Sequence, residues 1–135
     1  MSWTYSCPYC DCVVNPDETV ILVAERNNQQ MLIGFHPQPG NYTIYVPQSV
    51  QLSRGDVWEF FCPLCRANLR SEEHPHLAAL LVWQGDVRRR VLFSRVVGEQ
   101  ATYIVQDKDV AQRLGEHADL YDTKKMRRIK PETLH

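Results

Sequence analysis

Residues 6–12 read SCPYCDC and residues 60–66 read FFCPLCR, and these two stretches hold all five cysteines of the chain. Their shared C-P-x-C spacing decides how the rest is read. Two residues between paired cysteines let both sulfurs reach one ion from a single tight turn, whose backbone N–H groups point at the thiolates and offset their charge. Cys7 and Cys10 make one such turn, Cys62 and Cys65 the other, and together they complete a tetrahedral four-sulfur site. Zn2+ suits it because that ion asks only for four soft donors, and thiolate ligation then supplies folding energy. An odd cysteine count with paired spacing argues for metal or redox chemistry over a disulfide framework. Cys12 reads as a small core residue or a bystander thiol, although a C-x-C chelate through Cys10 and Cys12 could replace Cys7.

Outward from the cysteines, Thr19 to Phe61 is strand-like: TVILVAE, QMLIGFH and YTIYV are β-branched and aromatic runs separated by RNNQ and PQPGN, which is hairpin punctuation. RGDVWEFF is a further strand entering the second cysteine pair. LAALLVW, DVRRRVLFSRVV and ATYIVQ, joined by QGD and GEQ, read as a three-stranded meander whose first run could begin as a short helix. The stretch DKDVAQRLGEHADLY, residues 107–121, predicts the single helix, with Asp107 or Asp109 as cap and Val110, Leu114 and Ala118 on one face. Gly115 weakens its second half. The two C-P-x-C units recur without similar flanks, so no internal repeat is read.

CPYC and CPLC, the second arriving straight from the strand VWEFF, resemble the zinc knuckles of the zinc-ribbon superfamily, whose fold joins two cysteine turns through antiparallel strands. The resemblance covers the two knuckles and their adjoining strands and, position by position, makes Cys7, Cys10, Cys62 and Cys65 the ligands. Many such knuckles place Gly directly after the second cysteine, whereas Asp11 and Arg66 stand there here; Asp tolerates the left-handed conformation better than Arg. The interval between the knuckles exceeds that of a minimal ribbon, so a β insertion is expected inside it. The expected fold is mainly β. Residues 1–70 form a zinc-ribbon-like region with the insertion, and 71–122 form a β-meander and short C-terminal helix packed with it as one domain. Residues 123–135 form a basic exposed tail.

A chain of 135 residues, 44% hydrophobic and 23% charged, has ordinary globular composition and buries a core without staples. The net charge of −1 excludes a whole-surface basic footprint for nucleic acid. MSWTYSCPYC lacks a basic and apolar leader and no window is apolar enough to span a bilayer, which predicts a cytoplasmic protein. Four thiolates close the metal shell and suppress Lewis acidity, arguing against hydrolysis. The deaminase pattern H-x-E is missing, because Pro37 and Gln38 follow His36.

The expectation is a non-enzymatic zinc-binding adaptor or regulatory protein engaging a protein or nucleic-acid partner. The alternatives are a rubredoxin-like iron electron-transfer protein and a thiol-redox protein. Rubredoxin-type sites usually carry Gly after the knuckle, and a glutaredoxin-like motif opens a helix, which DCVVNPDE does not resemble. Lys124, Lys125, Arg127, Arg128 and Lys130 are candidate contacts to phosphates or to an acidic partner. Arg88 and Arg90 alternate with Arg89 across a strand, so they make no continuous basic face. His36, and His74 and His76 of HPH, read as solvated turn residues, the latter two also able to offer imidazole to a second site. Trp58, Phe60, Phe61, Trp83, Phe93 and Tyr103 are expected to pack the core.

Overall fold

Alternating apolar residues and left-handed turns set the first hairpin in a computed structural model that describes residues 3–72, 74–106 and 109–118. Strand β2 (Val20–Arg26) turns Val20, Leu22 and Ala24 inward, and Ile33 of β3 (Gln29–Phe35) joins them in the core. Asn27 and Asn28 connect the two strands at φ 54° and 66°, the pair of left-handed residues that a two-residue hairpin with native twist demands. The second hairpin, β6 (Leu77–Gln84) and β7 (Val87–Ser94), turns through Gly85 and Asp86, with Gly85 at φ 63°. LAALLVW is therefore strand throughout.

Shorter strands complete two antiparallel sheets: β1 (Thr4–Ser6), β4 (Ile44–Tyr45), β5 (Glu59–Phe61), β8 (Thr102–Gln106) and β9 (Asp109–Leu114). One sheet runs β1-β6-β7-β8-β9 and the other β4-β3-β2-β5. No helix among the described residues is long and apolar enough to cross a membrane.

The expected helix over 107–121 is corrected within the described residues, because 109–114 pair with β8 from Gln106↔Asp109 to Thr102↔Leu114 around a bulge at Ile104/Val105. Local helical periodicity loses to the hydrogen-bonding edge of β8, whose residues Thr102 to Val105 are all buried and whose outer N–H and C=O groups would otherwise lack partners. Gly115, at φ 104°, ends the strand where any Cβ would collide with the Gln100 carbonyl and the Tyr42 hydroxyl.

A second correction concerns repeats. Residues 3–46 and 58–104 are two copies of one unit, strand, cysteine turn, hairpin, glycine turn and strand, whose registers match position for position. Tyr5↔Val82 in one sheet corresponds to Phe60↔Ala24 in the other, and Ser6↔Leu81 to Phe61↔Val23. Phe35↔Ile44 corresponds to Phe93↔Thr102. Gly40 and Gly98 sit at φ 91° and 90°, and the N–H groups of His36 and Ser94 donate to the carbonyls of Thr43 and Ala101 at 3.2 and 3.1 Å. The first strands are exchanged: β1 of the first repeat lies in the sheet of the second, and β5 of the second lies in the sheet of the first.

The inner faces of the two sheets form one core to which both repeats contribute matching residues: Leu22 and Leu80, Ile33 and Val91, Val14 and Leu69. A smaller cluster, Leu77, Ala79, Leu92, Ala101, Tyr103, Val105 and Ala118, lies on the outer face of the five-stranded sheet.

Candidate metal centre

Each knuckle is an outgrowth of a sheet strand, β1 or β5, and the two are built alike. Cys7 N–H donates to the Cys12 carbonyl and Cys62 N–H to the Ala67 carbonyl, both at 3.0 Å. Asp11 N–H returns to the Cys7 carbonyl at 2.9 Å and Arg66 N–H to the Cys62 carbonyl at 3.0 Å. That return requires a left-handed residue after the second cysteine, and Asp11 and Arg66 adopt it at φ 63° and 66°. The position where such turns favour Gly thus keeps its backbone conformation without the glycine, at a steric cost greater for Arg66.

The exchanged strands bring the knuckles face to face. Cys7 Sγ lies 3.7 Å from Cys65 Sγ and Cys10 Sγ lies 3.7 Å from Cys62 Sγ, residues 58 and 52 positions apart in the chain. All four sulfurs fall within 4.8 Å of one another. Sulfurs about 2.3 Å from a central ion, arranged as a tetrahedron, are separated by about 3.8 Å, so the spacing fits a four-thiolate metal site. It is far from the ~2.05 Å of a disulfide, and all five cysteines are free. Cys7 and Cys62 are fully buried while Cys10 and Cys65 reach the surface.

Backbone donors converge on the buried sulfurs. Tyr9 N–H lies 3.3 Å from Cys7 Sγ, and the N–H groups of Leu64 and Cys65 lie 3.4 Å from Cys62 Sγ. Burial raises the Cys7 thiol to about 12 despite such donors. Burial acts in the same direction on Cys62, but the Cys65 and Leu64 N–H groups, with the neighbouring Cys12 and Cys10 thiols, bring it down to about 6. The backbone N–H groups of the second knuckle thus favour the thiolate form at Cys62, the form a metal ion takes.

Cys12 stands beside the four-sulfur group rather than within it, as a bystander thiol would. Its sulfur lies 3.5 Å from Cys62 Sγ, closer than either cross-knuckle pair, and burial raises it to about 12. Ala67 occupies the matching place in the second knuckle, so Cys12 is a fifth thiol beside the four-sulfur group. The identical carbonyl bonds of Cys12 and Ala67 follow from counting five residues past the first cysteine of each knuckle, a signal the sequence did contain.

The other candidates stay apart. His76 N–H donates to His74 Nδ1 at 3.1 Å and the two rings lie tilted, 5.7 Å apart, while Gln38 N–H donates to His36 Nδ1 at 3.1 Å. These are local turn bonds. Among the described residues, the four cysteines are the one group of three or more His, Cys, Asp or Glu side chains that converges as a metal site would. Arg88 lies over the Trp83 ring at 5.5 Å, and Arg89 donates to Gln106 Oε1 at 3.1 Å. Lys124, Lys125, Arg127, Arg128 and Lys130 lie outside the described residues. No family model matches the chain, and no curated protein or solved structure is significantly similar to it.

Proposed function

We propose that Cys7, Cys10, Cys62 and Cys65 bind one Zn2+ in a closed structural centre of zinc-ribbon type, and that the protein is a non-enzymatic binding module, an adaptor or regulator, working in the cytoplasm. The observation that carries this reading is the meeting of two like-built knuckles at tetrahedral sulfur spacing. Four thiolates leave no coordination position for water, so the ion's contribution is cohesion, joining segments from both repeats and both sheets. Metal analysis of protein purified without added metal tests it: zinc near one per chain is expected. Iron with a visible thiolate charge-transfer band would transfer the centre to electron transport, and neither metal would remove it.

The partner is a protein or nucleic acid, and the basic residues 124–130 distinguish the two. If those five side chains engage phosphates, affinity for duplex DNA falls with salt at a log–log slope of about −4 to −5 and vanishes when residues 123–135 are deleted. A protein partner held by the sheets survives the deletion and depends weakly on salt.

A further inference from the structure

Between the two sheets lies a cavity of about 210 Å3. Its walls come in repeat-related pairs: Leu22 and Leu80, Ile33 and Val91, Phe35 and Phe93. Phe60 closes an aromatic triad, with ring centroids 5.5 Å from Phe35, 5.8 Å from Phe93 and 5.8 Å between Phe35 and Phe93. Because both repeats contribute matching residues to its lining, the cavity belongs to the internal symmetry of the fold, as the sulfur cluster does. Native cores keep few voids larger than a water, and a cavity of about 150 Å3 lined by Leu, Ile and Phe stays dry and accepts benzene. The space here suits one ring or two fused rings.

At the mouth the repeats differ. Gln38 and Asn41 of the first repeat stand where the second has Val96 and Glu99, and the cavity shares Gln38, Asn41 and Gln100 with a shallow polar recess at the surface. The charged groups beside the cavity are engaged elsewhere. Arg95 donates to the carbonyls of Trp58, at 2.9 Å, and Pro75, with Glu59 at 3.6 Å. Glu99 Oε1 accepts from Ser94 Oγ at 2.8 Å. A buried ligand charge would have to compete with the partners that Arg95 and Glu99 already hold, whereas a neutral polar group can meet amides at the rim.

From the paired apolar walls and the amides at the rim we propose that this cavity binds a small, neutral, flat aromatic molecule of one or two rings. The ring lies against Phe35, Phe60 and Phe93, and one polar group points to Gln38, Asn41 and Gln100. The site is independent of the metal assignment, since no cysteine lines it.

Indole is the probe, titrated into the full chain as purified and followed by methyl NMR. Saturable shifts on the methyl groups of Leu22, Leu80 and Val91, with intermolecular NOEs from the indole ring to them, are the expected result. Val91→Phe, which fills the space, should weaken binding by about tenfold or more, and indole-3-carboxylate should bind at least about tenfold more weakly than indole. Should Val91→Phe fail to fold, the wild-type NOEs decide. The absence of saturable shifts up to the solubility of indole overturns the proposal, as do NOEs confined to residues outside the cavity, equal affinity in a folded Val91→Phe, or equal affinity for the carboxylate.

Discussion

Tyr45 and Tyr103 occupy the same position in the two repeats, yet Tyr45 is 50% exposed and Tyr103 is fully buried. Tyr103 pairs with Leu92 and Tyr45 with Gly34, so the larger neighbour belongs to the buried tyrosine. In the second repeat the chain runs on through β9 and returns over the sheet, where the Tyr103 hydroxyl donates to the Ala118 carbonyl. In the first repeat the ring of Tyr45 lies over Gly34, close enough that a Cβ there would touch it at 3.4 Å and meet the Thr19 methyl at 2.9 Å. The inner faces have kept their two-fold likeness because each packs against the other. The outer faces meet no such condition and have diverged, one gaining a cover and the other a glycine beneath an open ring.

The largest expected effect lies at the knuckles. Cys62→Ser should strip the metal and unfold the protein, since structural zinc sites contribute an apparent ~10–16 kcal/mol at neutral pH. Cys12→Ser, in the knuckle position that Ala67 fills on the other side, should retain the metal. Zinc per chain and the far-UV melting curve report both, and equal zinc loss would place Cys12 among the ligands.

The tyrosines come next. Tyr103→Ala should cost about 3–5 kcal/mol by denaturant unfolding, in line with other buried aromatics. Tyr45→Ala should cost no more than about 1 kcal/mol, as usual for surface positions. Comparable losses would mean that the outer face of the four-stranded sheet is covered too.

A smaller difference separates Arg66 from Asp11. Both are left-handed, but Arg66→Gly relieves more strain and should stabilise by up to about 1 kcal/mol, with Asp11→Gly giving less. The thermal midpoints of the two variants, each measured at the same metal content, check the order.

The smallest concerns Glu59, whose counterpart in the first repeat is Thr4. The bond from Asn68 at 3.1 Å holds the Glu59 carboxyl below its usual value against some burial, aided by Arg70 and Arg95. A lowered value stabilises the fold above the ordinary carboxylate range, near 4.5, and that stabilisation disappears as pH falls through the lowered one. For a partly exposed group it amounts to less than about 1 kcal/mol. Stability curves of the wild type and Glu59→Gln should therefore differ at neutral pH and converge in acid.

Much of this architecture was legible beforehand. Alternation marked β2, β3, β6, β7 and β8, Asn27-Asn28 and Gly85-Asp86 marked their turns, and C-P-x-C marked the four sulfurs. Residues 109–114 were misread because a helical spacing of Val110 and Leu114 says nothing of the β8 edge that recruits them. The repeat was legible in part and missed. Trp3 and Tyr5 precede Cys7 as Trp58 and Phe60 precede Cys62, and Phe35, Gly40 and Tyr45 recur as Phe93, Gly98 and Tyr103. Between these anchors the substitutions are too many to reveal the unit without its registers. The strand exchange has no local signal at all, since Tyr5 finds Val82 only through tertiary pairing.

That exchange dictates how the protein must be made. As the nascent chain leaves the ribosome, Thr4–Ser6 has no sheet to join until Leu81–Trp83 has been synthesised, and the β2 edge waits for Glu59–Phe61. The first hairpin therefore spends much of translation with an unpaired, aggregation-prone edge and only two sulfurs of the four. Neither sheet can close nor the sulfur cluster fill until the second repeat has been made, and a chain severed between residues 47 and 56 is expected to give two fragments that complement each other, each completing the sheet the other begins.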